Sequence, residues 1–343
     1  MVTRFGFVWI VLAALLPLTA RGDGPAERKA IHDDYKAKLG QAERERIARL
    51  TELAARQREP ESDATYRELF LFAVTTDHYR EAEPAAERLL ATGTADHAVD
   101  TLAHLVNLIA EADKGEFDKS MVSLKAFLAA DRSRNPPPPE FRTGTLLTVG
   151  EAYYHRLVRG NRFDLAKTLC ELVIAQAENP VIRGHFEARL RKLALLGQPA
   201  PPIEGPDADG TIVKLADSRG KVVLVGFWAT WCAPCVEEIP FVTALLDEFG
   251  SKGLVVIAVD VDATGEPGKT VESITPLVRR FLLENRVRWP SLFSDPAGRD
   301  LTKAYAVVEI PSNVLIGRDG KIVRFDLRGA ELRDAIRQEL ARP

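Results

Sequence analysis

Cys232 and Cys235 stand two residues apart in Trp231-Cys232-Ala233-Pro234-Cys235. A β-branched run at 221–228 ends just before them, and an amphipathic stretch at 236–249 begins just after. Two thiols at that spacing, at the start of a helix, can close a small disulfide ring. The unpaired N–H groups and positive dipole end of a helix N-terminus stabilise a thiolate on the first cysteine. Thiol–disulfide exchange needs such a thiolate, and a second thiol to resolve the mixed disulfide. Cys232 is therefore expected to be the exposed attacking sulfur and Cys235 the more buried resolving one. Pro234 suits the first turn, where its missing N–H would be unpaired anyway. Half of a zinc site has the same spacing. Its second half is missing, because all six histidines precede residue 200 and the third cysteine, Cys170, is far away in sequence. A purely structural disulfide is the other alternative.

Glu238 lies three residues past Cys235, one helical turn along. With no histidine nearby, a carboxylate is the group able to accept a proton from Cys235. A solvated glutamate favoured by the helix dipole is the competing reading. Trp231 is expected as a partly exposed wall of the site and Trp228 as core. Cys170 shares a helical face with Ala166, Val173 and Ala177, which suits a buried thiol acting as a small hydrophobe. A third redox thiol passing electrons to Cys232 is the sharper alternative. The histidines, His155 and His185 among them, show no ligand spacing, so no metal site is expected and no cofactor is required.

The elements that must position these residues follow from periodicity. Runs at 221–228 and 254–260 are almost continuously apolar, as in central strands covered on both faces. Helical patterns follow each, at 236–249 and 271–284, predicting right-handed βαβ crossovers and a parallel pair. Strands at 313–316 and 321–325 flank Gly317-Arg318-Asp319-Gly320, a hairpin signal, and 331–341 closes as a helix. The C-terminal part is thus expected to be α/β with a mixed sheet.

Residues 25–197 are rich in Ala, Leu, Glu and Arg, and apolar residues recur at helical spacing, as at Leu165, Leu169, Leu172 and Val173. Breaks at Pro60, Gly93, Gly115, the four prolines 136–139, Gly160-Asn161 and Pro180 imply short antiparallel hairpins. The proline run is expected to be a stiff, non-helical connection. Gly115-Glu116-Phe117-Asp118 and Gly160-Asn161-Arg162-Phe163-Asp164 look alike, but their phenylalanines are 46 residues apart, so a tetratricopeptide-like array would be degenerate. An irregular bundle is the alternative. Pro199, Pro201, Pro202 and Pro206, with Gly205 and Gly210, mark 198–210 as a linker, leaving 211–343 for the α/β domain. Arg4, an apolar run at 5–16 and the small Thr19 and Ala20 make 1–20 a signal peptide, or else a retained N-terminal anchor. The chain is then exported. A formal net charge of -3 disfavours a nucleic-acid partner.

The stretch from Phe227 to Cys235, followed by Glu238-Ile239-Pro240 and later by Ile310-Pro311 and residues 317–321, resembles the TlpA/ResA-like branch of the thioredoxin superfamily over about residues 198 to 343. The resemblance implies a thioredoxin-like domain behind an all-α helical-hairpin domain. It also implies a cis proline at Pro311 facing the disulfide. That loop, with Ile310 and with Trp231, Ala233 and Pro234 opposite, would receive an extended substrate. It implies a reductase of disulfide-containing envelope proteins, apocytochrome cysteines among them, in the periplasm or cell envelope and re-reduced by a membrane electron donor. Glu238 matches a glutamate of that branch. Thioredoxin itself has a buried aspartate where this chain has Gly226. Ser312-Asn313 and Glu309 also depart from the usual pattern, which puts substrate choice in doubt. A peroxidase on the same scaffold would have threonine three residues before its cysteine, where this chain has Ala229. A last alternative is an interaction protein whose helical domain binds a partner, with the redox domain accessory.

Overall fold

The computed structural model describes residues 24–130, 139–264 and 268–342. The expected signal segment at 1–20 and Pro136 to Pro138 lie outside the described residues. Eight helices come first: α1 (Gly24–Arg56), α2 (Glu61–Thr76), α3 (Tyr79–Thr92), α4 (His97–Asp113), α5 (Phe117–Ala130), α6 (Pro139–Arg159), α7 (Phe163–Gln176) and α8 (Pro180–Ala194). Their starts follow from local chemistry. Asp96 accepts the N–H groups of Ala98 and Val99, and Asn179 accepts that of Val181, with Pro180 opening α8. Pro139 likewise opens α6, so the end of the proline run is helical after all. A proline at the first helical position loses no hydrogen bond. The two look-alike turns meet in space. A Cβ on Gly160 would stand 2.3 Å from the Phe117 ring, and Arg162 pairs with Asp118 at 2.9 Å.

The chain then runs through β1 (Glu204–Pro206), β2 (Ile212–Lys214), β3 (Val222–Trp228), α9 (Ala233–Phe249), β4 (Leu254–Asp260), α10 (Val271–Glu284), β5 (Ser291–Phe293), α11 (Leu301–Ala304), β6 (Ser312–Ile316), β7 (Ile322–Phe325) and α12 (Gly329–Ala341). The main sheet has order β5-β4-β3-β6-β7, with β3 parallel to β4 and antiparallel to β6. This is a thioredoxin-like α/β fold with a mixed sheet, preceded by a helical region. Segment 198–210 is more than a linker: β1 pairs with β2, Ala200 N–H donates to Gly320 O at 3.0 Å, and Ile322 N–H to Gln198 O at 3.0 Å. The prolines there cannot donate, so the residues between them carry the pairing.

β3 alternates between two cores. Val223, Val225 and Phe227 share one with Phe70, Ile109, Tyr154 and Phe186 of the helices. Val222 and Leu224 join Leu245 and Phe249 of α9 and Ile336 of α12 in the other. The Phe163 and Phe325 rings, 5.9 Å apart, carry the first core from α7 to β7. Among the described residues no helix is long and apolar enough to cross a membrane.

Candidate active site

The dithiol pair sits where β3 gives way to α9. Asp262, just past β4, accepts the Thr230 N–H at 2.8 Å and its hydroxyl at 2.9 Å, fixing the turn between Trp228 and Cys232. Cys232 is the N-cap of α9, and its Sγ accepts the Cys235 N–H at 3.3 Å. The two sulfurs are joined in a disulfide. Trp231 stands 62% exposed beside it, and Ala233 and Pro234 are exposed as well. Cys232 and Cys235 are each 5% exposed, so the expected contrast between an open and a buried sulfur is absent in the oxidised state. The covalent bond holds both sulfurs against the first turn. What separates them is position: Cys232 caps the helix and Cys235 lies inside it.

Register supplies the opposite wall. Ser312 pairs with Phe227 across β3 and β6, which carries the preceding Ile310–Pro311 peptide to the end of β3 bearing the cysteines. That peptide is cis. Cys235, Glu238, Pro311 and Asn313 line one cavity of about 70 Å³, together with Gly226. No heavy atom lies within 4 Å of where a Gly226 Cβ would stand, so crowding does not exclude the acid that thioredoxin has there. Glu238 is the carboxyl this cavity does contain. Burial raises its pKa above the ordinary value, and Arg328, 2.9 Å away, pulls it only part of the way back. A half-buried carboxyl held up in this way is suited to exchanging protons with a thiol.

Several residues at the site escaped the sequence. Arg328, the N-cap of α12, bridges Glu238 to the carbonyl oxygen of Pro311. It lies outside every motif and no spacing pointed to it. Asp260 is fully buried beside Asp262, and burial followed by that neighbour pushes its pKa up to about 9. Its position at the end of an apolar strand was the one available hint. Arg189 and Lys192 of α8, 0% and 1% exposed, reach the loop around Pro311. Arg189 donates to Glu309 at 2.6 Å, and Lys192 donates to Ser312 and Asp326 at 2.8 and 2.7 Å.

His155 and His185, expected to be scattered, converge on Glu151 of α6. Glu151, His155 and Glu309 offer ligand atoms within 4.8 Å of one another. Arg189, however, already donates to both carboxylates, so the negative charge that would draw a cation is met from within. Cys170 is fully buried in α7, and burial pushes its pKa up to about 12. It is a packed thiol with almost no thiolate at neutral pH.

Fold and site together define a dithiol–disulfide protein of thioredoxin fold. Residues 196–325 match the AhpC/TSA family. The chain is 30% identical over 174 residues to the thiol-disulfide oxidoreductase ResA of Geobacillus thermodenitrificans, covering 51% of this chain and 92% of that protein. It is 29% identical over 145 residues to ResA of Bacillus thuringiensis subsp. konkukian, covering 42% and 76%. Among solved structures, the thioredoxin domain of a thiol-disulfide oxidoreductase from Bacteroides vulgatus is 29% identical, with 42% of this chain and 96% of that one covered at a TM-score of 0.36. The chain belongs to the ResA family of thiol-disulfide oxidoreductases.

Proposed function

We propose that the protein is an exported reductase of protein disulfides in the cell envelope, and the Cys232–Cys235 pair at the start of α9 carries this reading. In the reduced protein the helix N-terminus holds Cys232 as thiolate. It attacks one sulfur of a substrate disulfide, forming a mixed disulfide and releasing the other as thiolate. Cys235 gives its proton to Glu238 and attacks Cys232 Sγ, which frees the second substrate thiol and closes the ring. Ile310 and Pro311, together with Trp231, Ala233 and Pro234, receive the substrate's extended segment. Two electrons have then passed to the substrate, so a reductant must reopen the Cys232–Cys235 bond. The family resemblance supports a membrane electron donor as that reductant and disulfides between apocytochrome cysteines among the substrates. The segment at 1–20 is taken as the export signal or anchor.

Trapping tests the exchange. A Cys235→Ala variant should hold its substrate on Cys232 as an adduct released by dithiothreitol, and a variant that captures nothing contradicts the reading. The reduction potential tests direction. A couple more oxidising than about -150 mV, near the strongest oxidants of this fold, would make the protein an oxidase instead. The peroxidase alternative has Ala229 where threonine is needed.

A further inference from the structure

The loop that receives substrate is fastened to the helical region at two places, Glu309 and Ser312, and the neighbouring Asp326 shares the cation that holds Ser312. Glu309, two residues before Pro311, accepts from Arg189 at 2.6 Å and lies 3.0 Å from His155 Nε2. Ser312, immediately after Pro311, accepts from Lys192 at 2.8 Å and donates to Asp326 at 2.8 Å. Asp326, just past β7, accepts from Lys192 with both oxygens at 2.7 Å. Lys192 Nζ also lies 5.3 Å from the Phe325 ring, and the Arg189 guanidinium lies 4.6 Å over Tyr154.

Two long cations are almost never wholly buried unless they are paired, and both of these are buried against the same four-residue loop. Arg328 also binds the Pro311 carbonyl. Those contacts leave the loop little freedom. In a dithiol exchange the polypeptide substrate must lie along this loop with its sulfur in line with Cys232, and small displacements at such a step are costly.

We propose that Arg189 and Lys192 of α8 are positioning residues for loop 309–312, which makes the helical region a fixed wall of the exchange site. The proposal rests on the exchange reading above. It separates two kinds of substrate. A small disulfide needs only the Cys232 thiolate, whereas a polypeptide also needs the loop.

The test uses the full chain with Lys192→Met combined with Asp326→Asn, since Lys192→Met alone strands a buried carboxylate and can prevent folding. The asparagine keeps an acceptor for Ser312. Reduced protein is mixed with a small aromatic disulfide and, separately, with oxidised insulin, and the rate constants are compared with those of the unaltered chain. The insulin rate should fall about ten-fold, through a weaker KM, while the small-disulfide rate stays within about two-fold. Glu309→Gln, on the loop's own accessible side, should shift the same ratio in the same direction. Equal losses with both disulfides, or no loss with either, would overturn the proposal. An unaltered chain inert to both would instead remove the exchange reading on which it rests.

Discussion

In the proposed exchange, Glu238 and Arg328 form the pair of side chains that would govern the site's acid–base behaviour. Burial raises the carboxyl and the guanidinium lowers it. Replacing Arg328 with methionine removes the lowering influence, so the Glu238 pKa must rise further. The acid limb of the Cys235 resolution rate should then move up by about one pH unit, a change worth ~1.4 kcal/mol in interaction. Stopped-flow rates from pH 4 to 9 would show it, and an unmoved limb would mean that Glu238 does not take the proton. Glu238→Gln should slow the same step about a hundred-fold. Cys232, Cys235 and Glu238 drew notice because they sit in a short motif, and Pro311 because the family resemblance singled it out. Arg328 was not, because its partners are 17 and 90 residues away and a lone arginine at a helix start carries no pattern. Equal burial of the two cysteines was likewise hidden, being a property of the closed ring and not of either residue.

At the scale of elements, α6 and α8 meet the sheet through charge. The Glu151 and Glu309 carboxyls are raised by burial, but His155 and Arg189, joined at Glu151 by His185, more than reverse it and hold both well below the usual carboxylate range. Burial lowers the His155 pKa, and Glu151 and Glu309 outweigh that and raise it. A carboxyl held down in the folded state adds stability that is complete above its unfolded value, ~4.3, and is lost as pH falls through the folded value. A histidine held up adds stability that is complete below its unfolded value, ~6.5, and is lost as pH rises through the folded one. The stability this cluster adds should therefore be greatest between about pH 4.3 and 6.5 and decline on both sides, read as the difference in melting temperature between the unaltered chain and a variant lacking the cluster. Calorimetry on Glu151→Gln should find a lower maximum with shallower flanks; an unchanged profile would dismiss the cluster as a source of stability.

Gly160→Ala should cost about 1–3 kcal/mol by denaturant titration, because the new methyl meets the Phe117 ring and the Arg156 carbonyl. Long elements were readable from local pattern, β3 and β4 from continuous apolar runs and α10 from its helical period. The three-residue β1, β2 and β5 were too short to show one, and β1 lay hidden among prolines.

For the whole molecule, the helical region and the sheet share a core and a set of buried ion pairs. A chain beginning at residue 196 would uncover Phe325, whose ring meets Phe163, and would leave Glu309 and Asp326 without their cations. Such a fragment should melt below the full chain and bind a hydrophobic dye. A fragment as stable as the full chain and dye-silent would show the two parts to be independent. Composition and periodicity made the two kinds of architecture legible in advance. Their joining was not, since it depends on five polar side chains paired across 120 to 134 residues, separations at which no local pattern survives.

Those separations also set an order of events at the ribosome. Arg189 and Lys192 emerge 120 residues before Glu309 and Ser312, and Lys192 emerges 134 before Asp326. Domains tend to fold as units from the N-terminus during synthesis, at about 5–20 residues per second. A nascent helical layer therefore waits several seconds with Lys192 lacking its acceptors and Arg189 held by Glu151 alone, and it matures only when the last strands of the sheet arrive.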